Sequence, residues 1–536
     1  MANGCNAVNS GVCSFAEGAN TTASGVASHA EGSGTVAIGT ASHAEGVVTQ
    51  ANADFSHAEG FSTRAGAAAA HAEGSGTLAG GGSSHAEGVN TTASGVASHT
   101  EGSGTQAAGA NSHAEGAASV AGADHAHAEG FNCMAMGIAS HAEGFNCMAM
   151  GIASHAEGNV TQATQIGAHA EGSGTLASGI VSHAEGNITV ARSGAASHAE
   201  GARCVASGLS SHAEGEGSTA AGANSHAEGI GTTANGEGSH AEGALTVTAA
   251  FAAHAEGAST NASGFASHAE GASTVAIGVT AHAEGAATVA GGNFSHAEGF
   301  DTSTATFDNS HIMGRFGDAN EANSWFVANG TAANARGLGA KFSGSTGNMF
   351  VDGAYLSPAA DYAEMFETAD GQPIGPGYFV TPAHEDKIRK ATSQDRFILG
   401  IVSGAPSVVG NSAGLSWHRR YKKDEWGRKQ YIETEMQEVY DPEGNVAVPR
   451  RTILHAETDP EWDPAQPYIP RFERPEWEAV GLLGQLLVRD DGTCETHGYC
   501  LPNDEGIATA AQTGYFVLKR TGANQILVLF VTGRVP

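Results

Sequence analysis

The pentapeptide Ser28-His29-Ala30-Glu31-Gly32 recurs at fourteen-residue intervals over more than half of the chain, with histidines at His29, His43, His57, His71, His85 and onward to His296. One interval, His183 to His198, is fifteen residues. Counting Ser14-Phe15-Ala16-Glu17-Gly18, in which Phe15 holds the histidine position, there are 21 copies. A short fixed period specifies a stacked array, because each unit is too small to bury a core alone and must be covered by its neighbours. Within a unit such as SHAEGSGTVAIGTA the pattern Ala-x-Gly occurs twice, at Ala30–Gly32 and Ala37–Gly39, so each unit reads as two short strands and two glycine turns.

Strand alternation puts histidine and glutamate of His-Ala-Glu on one face and alanine on the other. Alanine is expected to face the interior of a coil too thin for larger groups, and glycine to take the sharp turns. At roughly 4.8 Å per layer, the 21 coils would make a rod about 100 Å long. Stacked glutamates one layer apart repel by about 3 kcal/mol at an effective dielectric near 20. The histidines beside them are therefore expected to titrate above their usual value of roughly 6.5 and to offset that repulsion when protonated. Histidine and carboxylate also ligate metals. A zinc site, however, closes a tetrahedron from a few separate elements, whereas here every layer offers the same pair. The sequence thus assigns neither a metal nor a cofactor. The same environment in every layer points to a shared contact between parallel copies of the rod.

Composition changes where the repeats end. All 14 prolines and all five tryptophans follow Gly299, consistent with a continuous ladder that needs every backbone N–H. The first 300 residues hold 25 acidic and three basic residues (−22), and the remainder 31 and 21 (−10), which together give the net −32. So acidic a chain is not expected to bind nucleic acid. No stretch reads as a membrane span or a secretion signal, and the odd count of seven cysteines argues against a disulfide framework. Synthesis in a reducing cytoplasm is the simplest reading. Cys133 and Cys147, in two nearly identical units, are expected to stack as thiols, and Cys494 and Cys500 of CETHGYC to be ordinary thiols.

The repeat units resemble the head repeats of trimeric autotransporter adhesins, which implies a left-handed parallel β-roll assembled as a homotrimer. This chain differs in carrying His and Glu where Val and Ile are usual, and it shows neither the signal nor the terminal barrel of that family. The expected organisation is a leader (1–13), the roll (14–299), a cap and neck (300–356) and a mainly β C-terminal domain (357–536). In that last part, apolar runs such as FILGIVSG and AVGLLGQLLVRD alternate with Pro, Gly and Asp turns.

ADYAEMFE (360–367), GYFVT (377–381), ILGIVSGAPSVVGNS (398–412), RYKKDEWGR (420–428), RPEWEAVGLLGQLLVRDDGTC (474–494) and GIAT (506–509) occur in that order. They resemble the autoproteolytic intramolecular-chaperone domain at the C-termini of phage neck appendages and tail spikes. The resemblance implies a trimeric virion appendage whose C-terminal domain directs assembly and then removes itself. It places the cut at Ala360–Asp361, with Asp361 and Glu364 as the catalytic carboxylates. A helical turn would put residues three apart on one face, where neighbouring carboxylates divide acid and base roles. Ala360 offers no nucleophile, which leaves water or Asp361 itself to attack. His311, His384, His418, His455 and His497 lack catalytic context, and the basic run 419–429 reads as a solvated loop. The competing functional reading is an uncleaved surface protein that binds a host glycan or cell-wall polymer.

Overall fold

A computed structural model describes residues 2–192, 195–413, 420–440, 446–448, 450–465 and 467–534. The chain is almost entirely β, with no α-helix among the described residues. It divides into two compact units, residues 1–350 with 438–449 and residues 351–437 with 450–536.

The first unit is a solenoid of stacked coils. Each coil contributes one strand beginning at its histidine and a second, two-residue strand ending at the next inward position, both paired in parallel with the following coil. The register follows the sequence period: His29 pairs with His43, Ala30 with Ala44 and Glu31 with Glu45. Ala30, Ala37 and their equivalents are fully buried, as the alternation requires. The interior also holds the serine and threonine two residues before each alanine, Ser28 and Thr35 in that coil. The serine hydroxyl is satisfied locally, Ser28 Oγ donating to the Gly25 carbonyl at 2.8 Å. With only small side chains inside, cohesion comes from backbone bonds between coils, such as His29 N–H to Ser42 O at 2.8 Å, each contributing about 1 kcal/mol net.

Glycine does not hold every turn, contrary to expectation. A typical coil has three residues with positive φ. The glycine of His-Ala-Glu-Gly is one, for example Gly46 at +108°, while Val48 and Phe55 occupy the other two at +58° and +62°. The glycine is required where the coils approach closest: a Cβ on Gly102 would lie 2.0 Å from the Gly116 carbonyl oxygen, whereas one on Gly104 would meet nothing within 4 Å.

The stack is longer than the repeat at both ends. Ala2–Asn3 and Val8–Asn9 pair with Ala16–Glu17 and Thr22–Ala23, so the expected leader is itself a coil. Beyond residue 299, His296 pairs with His311, and His311 with Trp325. Here the interior alanine is replaced by Ile312 and Phe326, both buried, which fill the closing end of the roll. Leu338–Phe342 then adds antiparallel to Trp325–Asn329. Arg336 ties this end together, reaching Asp301 at 2.6 Å and Asp318 at 2.7 Å.

The second unit is built on an antiparallel sheet. Its order is Ile388–Lys390, Phe379–Pro382, Gly400–Val402, Trp477–Arg489, Gln525–Val531, Tyr515–Gly522, Tyr499–Pro502 and Ala508–Ala511. Asp361–Glu367 pairs antiparallel with the long strand Trp477–Arg489 and parallel with Val408–Gly410. Phe379, Ile401, Leu486, Val517, Ile526 and Phe530 form the core beneath, joined by Cys494 and Cys500, which are buried and form no disulfide.

Candidate functional site

The segment holding the expected cleavage point is a strand, Asp361–Glu367, and not the helical turn its carboxylate spacing suggests. Pairing with Trp477–Arg489, more than a hundred residues away, decides this. Alternation then separates the two carboxylates. Asp361, Ala363 and Met365 face inward, while Tyr362 is exposed and Glu364 half-buried on the other side. Within one chain the expected Asp361/Glu364 pair is therefore not assembled. Glu364 instead accepts the Tyr362 hydroxyl at 2.8 Å, and that carboxylate raises the phenol's pKa. Glu367 is held by Lys387 at 3.0 Å.

Asp361 is 5% exposed, and its Oδ2 has no hydrogen-bond partner among the described residues. A buried carboxylate oxygen without a partner is costly, which marks the position as more than packing. Gly481 lies beside it: a Cβ there would sit 2.5 Å from Leu486 Cδ2 and 3.1 Å from Asp361 Oδ2. The peptide bonds on either side of Asp361 are each held by one contact: the Ala360 carbonyl accepts the Gln485 N–H at 3.3 Å, and the Asp361 carbonyl, of the following bond, accepts the Ser407 N–H at 2.9 Å. Gly484, at φ +123°, lies against the first of these bonds: a Cβ there would be 2.1 Å from the Ala360 oxygen. Alongside is a cavity of about 650 Å³, lined by Ala359, Ala360, Asp361, Gln485, Arg489 and Lys519 among others, with room for water beside the bond.

The sequence alone does not single out Gly481, Gly484 and Gln485, because AVGLLGQLLVRD reads as one apolar strand. Its two glycines are the available signal, since glycine inside a strand marks a close approach of another backbone.

Elsewhere the candidates resolve as structure. The histidines form one continuous ladder, neighbouring rings stacked 4.7 Å apart and 11° from parallel at His29 and His43. It begins on Phe15 and ends through His311 on Trp325, so His311 is a ladder member and not an isolated histidine. From His29 to His198 each glutamate lies beside the histidine of its own coil, 3.5 Å away at His29–Glu31 and 4.0 Å at His71–Glu73, whereas nearer the closing end Glu284 and Glu298 reach the histidine of the next coil, His296 at 3.3 Å and His311 at 3.7 Å. The donor atoms of His29, Glu31 and His43 come within 4.8 Å of one another. The parallel rings direct their in-plane lone pairs side by side and not to a common point.

The expected direction of histidine titration is reversed. His57, His113, His141, His169, His183, His212, His240, His268 and His296 are all held below their usual value near 6.5, first by burial and then by the neighbouring histidines, with the glutamates opposing more weakly. Cys133 and Cys147 are buried in successive coils, the latter donating to the Gly158 carbonyl at 3.2 Å. His455 bonds Thr434 at 2.8 Å, and His497 lies against Phe516. In the basic run, Lys422 and Arg428 pair with Glu457 and Asp424. His418 and Arg419 lie outside the described residues.

Residues 317–525 match the family model described as Peptidase_G2, IMC autoproteolytic cleavage domain. The chain is 35% identical over 156 residues to the pre-neck appendage protein of Bacillus phage B103, a match covering 29% of this chain and 16% of that protein. It is 37% identical over 150 residues to the pre-neck appendage protein of Bacillus phage phi29, covering 28% and 16%. A putative phage-related protein of Bacillus subtilis strain 168, YobO, is 34% identical over 182 residues, covering 33% and 21%. The chain thus spans about a fifth or less of the length of these relatives. Among solved structures, the C-terminal fragment of phi29 gene product 12 is 32% identical, with 32% of this chain and 99% of that chain covered and a TM-score of 0.26. The pre-mature phi29 gene product 12 is 16% identical, with 95% and 58% covered and a TM-score of 0.36.

Proposed function

We propose that this chain, which carries an IMC autoproteolytic cleavage domain in its C-terminal part, is a phage or prophage appendage protein that assembles as a homotrimer and then cuts itself once between Ala360 and Asp361. The observation that carries the reading is the buried Asp361 side chain next to that peptide bond, with its Oδ2 unpartnered among the described residues. In the proposed reaction, Asp361 takes a proton from a water whose oxygen adds to the Ala360 carbonyl carbon, and the carbonyl π pair moves to oxygen. When that pair returns, the C–N bond breaks and the Asp361 nitrogen leaves with a proton, giving an Ala360 carboxylate and an Asp361 ammonium. The enzyme consumes its own bond and so turns over once. Glu364, on the outer face of the strand, acts on the bond of a neighbouring copy or takes no part.

The cut suits the solenoid. Nearly identical coils can align in wrong registers offset by whole coils. A C-terminal domain that trimerises first fixes one end, and its loss then leaves the closed rod without a route back. The rod, made in the cytoplasm and carried as a virion appendage, would offer its repeated outer face to a host glycan or cell-wall polymer. The test is a denaturing gel with mass spectrometry of the purified chain. Fragments of 360 residues and, from 536 − 360, 176 residues are expected; one uncut band would refute self-cleavage and favour the attached, surface-binding alternative.

A further inference from the structure

The long strand is distorted opposite the proposed cut. Asp361 pairs with Gly484 and Tyr362 with Leu483, but Ala363 pairs with Gly481, so Leu482 drops out of the register. The Leu482 carbonyl turns instead to Thr532, accepting its N–H at 3.0 Å and its hydroxyl at 2.8 Å. Bulges of this kind re-aim the groups beside them. Here the strand leaves the bulge through Gly484 at φ +123°, and the next N–H, that of Gln485, points at the Ala360 oxygen.

The length of that contact, 3.3 Å, matters for what it can do. A bond already short in the ground state would stabilise substrate and transition state alike. A long contact that tightens as negative charge grows on the oxygen stabilises the transition state selectively, and a fixed backbone dipole needs no reorganisation to do so. Leu486, the next residue, is 2% exposed and anchors the strand in the core, so the donor is held rigidly. Gly484 is the residue that permits the approach, since any side chain would crowd the oxygen's own position.

We propose that the Gln485 backbone N–H, presented through Gly484 beside the Leu482 bulge, is the oxyanion donor for self-cleavage. This rests on the Ala360–Asp361 cut proposed above. In the addition step the Ala360 oxygen receives the carbonyl π pair, and Gln485 N–H donates to it without transferring its proton. When the pair returns and the C–N bond breaks, the Gln485 N–H keeps its proton and is left donating to the Ala360 carboxylate.

Two changes to the full chain test this. Gly484→Ala is expected to abolish the cut by displacing the Ala360 carbonyl. Because that variant could also disturb folding, the deciding change is replacement of residue 485 by its α-hydroxy acid, which turns the amide N–H into an ester oxygen and keeps the side chain and shape. Cleavage is followed by gel with fold monitored by near-UV circular dichroism. Loss of one oxyanion donor is expected to slow the cut on the order of 10²–10³-fold. A slowing of less than about tenfold, the factor that an ordinary ladder bond of about 1 kcal/mol accounts for, overturns the inference, as does normal cleavage in Gly484→Ala. If mass spectrometry places the wild-type cut elsewhere, the reading of the cut itself fails, which is a separate and distinguishable result.

Discussion

Gly102 and Gly104 sit two residues apart on one coil, both with positive φ, at +97° and +68°, yet alanine should affect them very differently. At Gly104 the new methyl meets nothing within 4 Å. The cost is then only the left-handed backbone, about 1 kcal/mol, which other coils already bear at Val48 or Asn90. At Gly102 the methyl would lie 2.0 Å from the Gly116 oxygen and 2.9 Å from its carbonyl carbon, so the two coils must separate by more than an ångström. That stretches the bonds flanking the contact, Glu101 N–H to Ala114 O at 3.0 Å and Ser103 N–H to Gly116 O at 2.8 Å. Two such bonds at about 1 kcal/mol each, added to a backbone cost of about 1–2 kcal/mol, give about 3–4 kcal/mol. Because coils interact only with their neighbours, the loss stays local. Native-state hydrogen exchange of the intact protein should show the Glu101 and Ser103 amides exchanging roughly 10²–10³ times faster in Gly102→Ala, and less than about tenfold faster in Gly104→Ala. Equal acceleration in the two variants would refute the argument that coil contact, and not backbone conformation, demands the glycine.

Acid should weaken the solenoid. Histidines held below their usual value in the fold are protonated more readily in the unfolded chain, so stability is complete above about pH 6.5 and falls as pH drops toward the folded values. Thermal melts at about pH 7.5 and about pH 5.5, on either side of that value, check the sign, and a higher melting point at the lower pH would contradict it. Asp361→Asn should fold and remain uncut, while Glu367→Gln, whose parent residue serves an ion pair with Lys387, should cut normally; mass spectrometry of the fragments reads both. Glu364→Gln tests action between copies: a trimer that assembles but stays uncut supports it, and full cleavage removes Glu364 from the chemistry. Arg336→Ala should cost about 2–3 kcal/mol through its lost charged hydrogen bonds to Asp301 and Asp318, seen as faster exchange confined to residues near the closing end of the roll.

The solenoid is legible because its information is periodic. A strand whose partner lies one repeat away has its register written in the spacing, and His29 opposite His43 needs no further input. The ends are harder to read because closing a coil requires larger interior residues, and Ile312 and Phe326 break the alanine pattern that identifies a coil. Ser310-His311-Ile312-Met313-Gly314 still preserves the Ser-His-x-x-Gly frame. At the cleavage segment, local spacing misleads: Asp361 and Glu364 fit a helical face, but the partner that makes them a strand lies beyond residue 476. The histidine pKa direction also fails locally. Adjacent glutamates are visible in sequence, whereas ring-on-ring stacking and burial arise only when the coils assemble.

Since every coil contacts copies of itself, the stack places almost no constraint on how many coils there are. The twin units 131–144 and 145–158, both FNCMAMGIASHAEG, sit in register with one another and with the coils on either side. Inserting such a unit adds one layer of about 4.8 Å and creates no kind of interface that was not already present. Deleting one removes a layer just as cleanly. Reach thus becomes a quantity that recombination between repeats can adjust in single steps, without altering the residues that cap the roll or those that surround Asp361.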